Sequence, residues 1–302
     1  FESTVRCCTQ NGVRGGSATV HFPIWHQEIE DILVLKNNKG TEDNRVRKLD
    51  YSIQMSKIFY ERFIKGGDIT LFSPHDVPGL YEAFGTSKFD ALYKKYEKDN
   101  SIPKKTIQAR TLIGDVLKER AETGRIYIMN IDHTNDHSSF LDTVRMSNLC
   151  QEITLPTDPL QHIDGKGEIA LCILSAINVG VIKDIKELET LCDLSVRGLE
   201  QIIDHQKYPV KAAEISTKAR RSLGIGYIGL AHYLAKNKVK YEDKKAWQLV
   251  NELSEAFQYY LLKASNTIAK EKGPCDYFKK TKYSKGILPV SYTHLTLPTT
   301  SS

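Results

Sequence analysis

The sequence predicts an α/β fold in which strands alternate with long helices. The stretches 17–24 and 125–131 are rich in β-branched and aromatic residues, a composition typical of strands. The stretch 169–174 is a short continuous apolar run, which fits a buried strand. Residues 185–203 and 249–268 instead carry apolar side chains at helical spacing. Strands separated by long helices favour an α/β architecture. The pattern alone does not distinguish a closed barrel from an open sheet.

Before residue 131 the apolar stretches are short and are separated by polar loops, and glycines mark the ends of helices. In chain order we predict a strand at 17–24, a short helix at 26–35, a polar loop at 36–48, a helix through Ile53, Ile58, Phe59, Phe63 and Ile64 that stops at Gly66, a helix at 104–121 that ends at Gly124, and a strand at 125–131.

In the second half, the uncharged run 169–174 predicts a strand that is covered on both faces. The two long helices should end before Pro209 and Gly273. The stretch 291–302 is rich in Thr, Ser and Pro and matches no periodicity upstream. We therefore expect residues 1–290 to be native sequence and residues 291–302 to be a non-native tail.

Composition excludes several classes of protein. The chain has 302 residues, of which 40% are hydrophobic and 26% charged, and its net charge of +5 is spread among interleaved acids and bases. Without a basic block, nucleic-acid binding has no support. The longest nearly apolar run, 169–182, is shorter than the ~20 residues of a membrane helix. Six cysteines without a Cys-x-x-Cys pair are too sparse for a disulfide scaffold, so we expect a reducing, cytoplasmic setting.

The segment 147–152 carries the first candidate chemistry, because it places an amide, a thiol and a carboxyl at Asn148, Cys150 and Glu152. In an extended segment this spacing puts all three side chains on one face. A carboxyl beside a thiol forms a workable catalytic pair. The alternative is that Cys150 is a small buried hydrophobe and the two polar residues lie in a turn, and composition alone favours this alternative.

The other cysteines are first interpreted as structural. Cys172 lies inside the apolar run 169–174, and Cys192 lies on the apolar stripe of a predicted helix, so both are expected in the core. Cys275 follows Gly273 and Pro274 and is expected in a loop.

Gly224, Gly226 and Gly229 satisfy the dinucleotide-binding pattern G-x-G-x-x-G. That fingerprint requires a buried strand directly before it and an acidic residue roughly 20 positions later. The preceding residues 218–223 include three basic side chains, and the acids at 242–243 come too early. We therefore expect the glycines to serve close backbone packing.

His133 and His137 are four residues apart, a spacing that on a helix can bind a metal ion. Asn, Asp and Ser residues surround them, which favours a loop. We predict no metal site here.

The stretch 10–16 is a glycine-rich loop with one embedded arginine. It lacks the Lys-Ser/Thr of a phosphate-binding P-loop. An adjustable backbone beside a guanidinium group suits nucleotide contact. A plain turn explains the sequence equally well.

Several long stretches, taken together and in order, resemble the large subunits of class I ribonucleotide reductases, nearest to the class Ia type with its phage-encoded members. The resemblance runs from near residue 1 to about Pro289. The matching stretches are GVRGGSATVHFPIWHQEIEDILVLKNNKG, NRVRKLDYSIQ, DITLFSPHDVPGLY, TGRIYIMNIDH, SNLCQEITLPT, GEIALCILSAINVG, RRSLGIGYIGLAHYLAK and FQYYLLKASNTIAKEKG.

This resemblance implies part of a ten-stranded α/β barrel with a central finger loop. Cys150 matches the thiyl-radical cysteine at the loop tip, which removes the ribose 3′-hydrogen. Glu152 matches the carboxylate that takes the 3′-hydroxyl proton, and Asn148 matches the amide that binds the ribose. Cys172 matches one of two reducing cysteines. The implied reaction converts ribonucleoside diphosphates to 2′-deoxyribonucleoside diphosphates.

The resemblance also implies partners and cofactors. A metal-containing small (beta) subunit would supply the radical, thioredoxin or glutaredoxin would reduce the full-length protein, and the large subunit would form a homodimer. Gln10, Arg14, Gly15 and Gly16 match the loop that links a nucleotide effector, ATP or a deoxynucleoside triphosphate with Mg²⁺, to the substrate base. No other metal is expected in this chain.

Three rival interpretations are kept: an adenosylcobalamin-dependent reductase, a nicotinamide-dependent dehydrogenase built on 224–229, and a non-catalytic partner protein. The family's other reducing cysteine lies upstream of residue 1, and its radical-relay tyrosines lie downstream. We therefore expect a natural product that is longer at both ends, and a 302-residue chain that is inactive alone.

Overall fold

The structure is a computed structural model that describes residues 1–288; the predicted non-native tail at 291–302 lies outside this range. The chain divides into two compact units. The first comprises residues 1–138 and 143–156, and the second comprises residues 139–142 and the chain from residue 157 onward.

The first unit alternates short strands and helices, as the sequence predicts. Its elements are α1 (Glu2–Cys7), β1 (Thr9–Gln10), β2 (Arg14–Gly15), β3 (Thr19–Pro23), α2 (Ile29–Leu33), β4 (Asp50–Met55), α3 (Lys57–Lys65), β5 (Asp68–Leu71), α4 (Leu80–Ala83), α5 (Phe89–Lys98), β6 (Lys105–Gln108), α6 (Ala109–Thr123), β7 (Ile126–Asn130) and α7 (Ile131–Asp136).

A three-stranded parallel sheet in the order β3-β4-β7 organises this unit. The register pairs Phe22 with Ile53 and Ile53 with Ile128, so one face of the sheet is apolar and packs on a single large core cluster. Side chains one position earlier point to the opposite face. The predicted strands at 17–24 and 125–131 are confirmed.

The second unit is built around a parallel pair of strands and long helices. Its elements are β8 (Ile173–Asn178), α8 (Glu187–His205), α9 (Lys211–Arg220), β9 (Leu223–Ile228), α10 (Leu230–Lys236) and α11 (Lys244–Lys272). The two long predicted helices correspond to α8 and α11 and are confirmed, the second ending at Gly273. Together the two units confirm the α/β class.

Two helices of the first unit begin later in the chain than the sequence predicts. Ile53 lies in β4, and α3 begins only at Lys57 before ending at Gly66, whose φ of +70° suits glycine. Tyr51, Ile53 and Met55 alternate onto the apolar face of the sheet and are almost fully buried, which a strand explains and a helix does not.

The helix predicted over 104–121 is likewise divided. Residues 105–108 form β6, which pairs with β5 through Ile69 and Ile107, and α6 follows from Ala109 to Thr123. Pairing with a neighbouring strand outweighs the local helical pattern at 104–108.

The strand predicted at 169–174 begins later, at Ile173. Ile173 and Ile177 are buried, whereas Leu174 is 54% exposed. β8 is therefore covered on one face by the described residues, and the prediction of a strand covered on both faces is wrong.

The loop predicted around His133 is also wrong, because His133 lies in α7 and His137 caps its carboxyl end. Their rings are 6.4 Å apart. Within residues 1–288 no three His, Cys, Asp or Glu side chains are grouped as a metal ion requires. In the same range no helix combines the length and the apolar character that a membrane crossing needs.

The glycines of the G-x-G-x-x-G pattern lie within and directly after β9, a strand that pairs in parallel with β8. A Cβ at Gly224 would lie 2.4 Å from Cδ2 of Leu174, and one at Gly229 would lie 2.5 Å from Oδ1 of Asn178. The predicted close backbone packing is confirmed at Gly229, whose Cβ would also lie 3.0 Å from the backbone nitrogen of Gly180, whereas Gly224 meets only the end of a leucine side chain. Gly226 has open space around it, so close packing does not explain that glycine.

Candidate functional site

The face of the β3-β4-β7 sheet opposite the core is polar. The register places His21 beside Ser52, and Ser52 beside Tyr127, with Thr19 and Gln54 on the same face. We call these five residues the polar platform. Ser52 and Gln54 are nevertheless buried, at 0% and 1% exposure, so this face is covered.

The segment 143–156 contacts the polar platform. The hydroxyl of Thr19 donates to the carbonyl oxygen of Leu149 at 2.7 Å. The hydroxyl of Ser52 donates to Oε1 of Gln151 at 3.2 Å. The amide of Gln54 donates to the carbonyl oxygen of Arg145. Two adjacent strands therefore hold the loop that carries the candidate catalytic residues.

His21 lies half-buried between these contacts, against the backbone of Ser147 and Asn148. Both ring nitrogens are buried without completing a hydrogen bond. Burial lowers the pKa of His21 below its ordinary 6.5, and the nearby backbone of Ser147 and Asn148 opposes this shift. Burial therefore favours the neutral form of the ring.

The candidate residues lie on a tight turn. The N–H of Gln151 donates to the carbonyl of Asn148 at 3.2 Å, and Gln151 adopts φ of +67°. Oδ1 of Asn148 accepts the N–H of Ile153 at 2.9 Å, and Ser147 Oγ donates to the carbonyl of Ile153 at 2.5 Å. The amide of Asn148 thus closes the base of the turn.

Cys150 occupies the tip of this turn and is exposed, as is Glu152, while Asn148 is half-buried. Burial raises the pKa of the phenol of Tyr127, and the nearby Cys150 and Glu152 add to the shift. Residues 148–152 form a turn, as the alternative interpretation expected, because side-chain-to-backbone hydrogen bonds favour it over an extended segment. Cys150 is exposed, so the part of that alternative that made it a buried hydrophobe is wrong.

Cys172 belongs to the second unit, where it precedes β8 and is exposed. The expectation that Cys172 is a core residue is therefore wrong, since the strand begins one residue later. Cys192 is fully buried, and burial raises the pKa of its thiol to about 11, which confirms its predicted structural role. Asn148, Cys150 and Glu152 are brought together in the first unit.

The glycine-rich loop forms a small β-hairpin. β1 and β2 pair Gln10 with Arg14, and Asn11 and Gly12 turn the chain with positive φ. Arg14 and Gly15 are exposed. At Gly16 a Cβ would lie 2.3 Å from the carbonyl oxygens of Val5 and Cys8, so only glycine fits there without a shift of the backbone.

The polar platform was missed by sequence reasoning. Thr19, Ser52 and Tyr127 lie in segments whose apolar neighbours identify them only as strands. The available signal was the alternation of Ser52 and Gln54 with Tyr51 and Ile53, which marks a strand with one polar face. That signal does not show what the polar face holds.

Comparison with known proteins identifies the family. The family model described as "Ribonucleotide reductase, barrel domain" matches residues 1–299. The chain is 58% identical over 296 residues to the ribonucleoside-diphosphate reductase subunit alpha of Haemophilus influenzae, covering 96% of this chain and 39% of that protein. The ribonucleoside-diphosphate reductase 1 subunit alpha of Escherichia coli is 53% identical over 296 residues, which again cover 96% of this chain and 39% of that protein.

The ribonucleoside-diphosphate reductase subunit alpha of Enterobacteria phage T4 is 45% identical over 300 residues, covering 97% of this chain and 39% of the phage protein. The chain thus spans about 39% of the length of these curated relatives. A family model that matches nearly the whole chain, together with relatives at this level of identity, leads to one conclusion: the chain belongs to the ribonucleotide reductase family and corresponds to its barrel domain.

Proposed function

We propose that the full-length protein containing this chain is the catalytic subunit of a class I ribonucleoside-diphosphate reductase. It would reduce ribonucleoside diphosphates to 2′-deoxyribonucleoside diphosphates, the precursors of DNA. The observation that carries the proposal is the exposed thiol of Cys150 on a turn that also presents Asn148 and Glu152. The names of the relatives support the same activity.

In this proposal Cys150 acts as a thiyl radical. The sulfur takes the hydrogen atom from C3′ of the ribose, so that an S–H bond forms and a substrate radical remains. Glu152 accepts the proton of the 3′-hydroxyl, which helps the 2′-hydroxyl leave as water. Asn148 would bind the ribose with the part of its amide that the turn does not use.

The reduction requires two electrons and a returned hydrogen atom. Cys172 and a second thiol of the full-length protein would supply the electrons by forming a disulfide, and Cys150 would return its hydrogen to C3′ and regenerate the thiyl. Exposure of Cys172 suits this role, because a reducing thiol must reach both the substrate and an external reductant.

We further propose that residues 1–290 are the central portion of a ten-stranded α/β barrel, with the Cys150 turn as its finger loop and residues 291–302 as a non-native tail. Two features support the barrel. The sheet β3-β4-β7 is parallel and has a polar face that holds the turn, and the parallel pair β8-β9 has one face that the described residues leave open.

The proposed partners follow from the class. A metal-containing small (beta) subunit would supply the radical, thioredoxin or glutaredoxin would reduce the disulfide, and the subunit would act as a cytoplasmic homodimer. We propose that the hairpin residues Gln10, Arg14, Gly15 and Gly16 contact a nucleotide effector, ATP or a deoxynucleoside triphosphate, which brings Mg²⁺. In support, Arg14 is exposed, and none of the ion pairs within residues 1–288 involves it.

The direct test is Cys150→Ser in the full-length protein, assayed for deoxynucleotide formation with its small subunit and a dithiol reductant. We expect activity to be lost. The control is Cys275→Ser, which changes a half-buried loop cysteine and should keep activity. Turnover by Cys150→Ser would contradict the proposal. Activity of the wild-type protein with adenosylcobalamin and no small subunit would instead identify the cobalamin-dependent class.

A further inference from the structure

The Cys150 turn is attached to the sheet by side chains alone. No backbone-to-backbone hydrogen bond among the described residues joins 143–156 to β3, β4 or β7. The N–H of Val144 donates to Oδ1 of Asn135 at 2.7 Å, and Nδ2 of Asn135 donates to the carbonyl oxygen of Val144 at 3.1 Å. Beyond that point, the contacts with the sheet come from the polar platform. The position of the thiol therefore depends on a few side-chain hydrogen bonds.

Thr19 makes the contact nearest to the reactive sulfur. Its hydroxyl donates to the carbonyl of Leu149 at 2.7 Å, and that carbonyl belongs to the peptide unit whose nitrogen is that of Cys150. Because a peptide unit is planar, fixing the carbonyl oxygen also fixes the plane that carries Cα of Cys150. A hydroxyl on a strand thus orients the residue at the tip of the turn.

Gln54 holds the loop on its incoming side. The amide of Gln54 is 1% exposed and donates to the carbonyl of Arg145. A buried donor that loses its acceptor is costly, so this contact should persist in the folded protein. Arg145 in turn donates to the carbonyl of Tyr81 at 2.8 Å, which ties this part of the loop to the unit's core.

We infer that Thr19 and Gln54 are positioning residues that set the location of the Cys150 sulfur from two adjacent strands of the sheet. The inference rests on the proposed role of Cys150. Neither side chain needs to touch the substrate, and both act through the backbone of the turn. A displacement of about 1 Å at a reacting group can lower a rate by about 100-fold, so loss of one such contact should appear in the chemical step.

The test uses Thr19→Val in the full-length protein, because valine keeps the shape of threonine and removes its hydroxyl. We expect kcat to fall about tenfold while KM for the nucleoside diphosphate stays within about twofold, the pattern of a defect in chemistry rather than in binding. Thr19→Ser, which restores the hydroxyl, should recover kcat to within about threefold of wild type.

Thr70→Val is the matched control. Thr70 lies in the same unit and donates to Oε1 of Glu97 at 2.8 Å, so the variant loses a comparable hydrogen bond away from the Cys150 turn. We expect it to keep wild-type kcat. An equal loss of kcat in Thr70→Val and Thr19→Val would show a general defect and overturn the inference.

Amide hydrogen exchange separates this inference from the proposed function. In Thr19→Val the amides of Asn148, Gln151 and Ile153, which are bonded within the turn, should exchange at least about fivefold faster, and in Thr70→Val they should not. If the wild-type protein reduces no nucleotide, the proposed function fails while the exchange comparison still decides whether Thr19 holds the turn. Unchanged exchange or unchanged kcat in Thr19→Val would overturn the inference.

Gln54→Leu provides an independent variant at the second contact. It removes the donor to Arg145 and should also lower kcat without a matching change in KM. Because the variant changes a buried side chain and can fail to fold, its kcat is interpreted only when the far-UV spectrum of the protein is native. If natively folded Gln54→Leu protein keeps wild-type kcat, the positioning role of Gln54 is overturned. The role of Thr19 is then decided by the Thr19→Val result.

Discussion

The two units use parallel strands in different ways. In the first unit, three strands have an apolar face on one continuous core cluster and a polar face under the Cys150 turn. In the second unit, two strands pack against α8 on one side, and the described buried residues fall into four smaller clusters. Leu174 and Ile228 on the other face are about half exposed.

This difference is consistent with the two roles proposed for Cys150 and Cys172. Cys150 lies on a turn that a sheet with a buried central strand supports, and such support can keep a reacting group in a fixed geometry. Cys172 precedes a strand whose outer face is open in the described structure. Under the proposed function, the radical cysteine needs a fixed position and the reducing cysteine needs access.

The largest effect is expected at the buried charges of the second unit. Arg220 pairs with Glu168 at 2.7 Å, and both side chains are 2% exposed. Arg220→Met would leave the carboxylate of Glu168 buried without its cation, at a cost of about 3–5 kcal/mol. Urea unfolding monitored by hydrogen exchange in α9 measures the change.

Lys263→Met is the control for that measurement, since Lys263 and Glu189 form an ion pair with side chains about half exposed. An exposed pair contributes about 0–1 kcal/mol. Equal destabilisation by Arg220→Met and Lys263→Met would show that the second unit does not depend on its buried charges.

The next effect tests the core of the first unit. Ile53 is fully buried in the central strand, so Ile53→Ala should lower the free energy of unfolding by about 2–5 kcal/mol. Fluorescence of Trp25, which is buried in the same cluster, reports the transition. Leu174→Ala, on the open face of β8, should cost less than about 1 kcal/mol; a larger cost would mean that this face is covered.

Two glycines, Gly16 in the first unit and Gly226 in the second, should differ in how well they tolerate alanine, with a smaller effect on stability than the substitutions above. Gly16→Ala places a Cβ against two carbonyl oxygens, so the hairpin must shift, at a cost of about 1–3 kcal/mol. Gly226→Ala in β9 meets open space and should be tolerated. Faster exchange of the amides at 9–16 in Gly16→Ala, with normal exchange in β9 of Gly226→Ala, is the expected result; normal exchange in both variants would contradict the packing at Gly16.

The smallest effect is a pH dependence of the first unit. Because burial lowers the folded-state pKa of His21 below 6.5, the unfolded chain binds a proton more readily. Stability is therefore full above about pH 6.5 and decreases as the pH falls towards the folded-state pKa. Thermal unfolding of His21→Phe should lack this part of the pH dependence and match the wild-type slope above pH 7; an identical slope for both proteins below pH 6.5 would contradict the assignment.

Much of the fold could be predicted because its signals are local. Four elements have an apolar pattern that fits only one type of secondary structure: the strands at 19–23 and 126–130 and the helices α8 and α11. The strand at Ile53 was missed because the apolar positions of β4 and α3 follow one another closely and together imitate one helix. Pairing between distant strands, which creates β6 and shifts β8, leaves no local signal.

The sequence could propose the candidate site residues, and their roles stay a prediction, but it could not give their geometry. The types and spacing of Asn148, Cys150 and Glu152 indicated chemistry, yet the turn depends on bonds from Ser147 and Asn148 back to Ile153. Such side-chain-to-backbone bonds compete with extended structure through small energy differences that spacing does not reveal.

The hydrogen bonds under the Cys150 turn have a consequence for the order of folding. Thr19 and Leu149 are 130 residues apart in the chain, and Gln54 and Arg145 are 91 apart. Contacts between such distant residues form late, because the entropy of closing the intervening loop must be overcome first. We therefore expect the sheet to form with its hydroxyl and amide groups still hydrated, and the thiol-bearing turn to dock afterwards. The reactive group would then reach its place only on a support that is already complete.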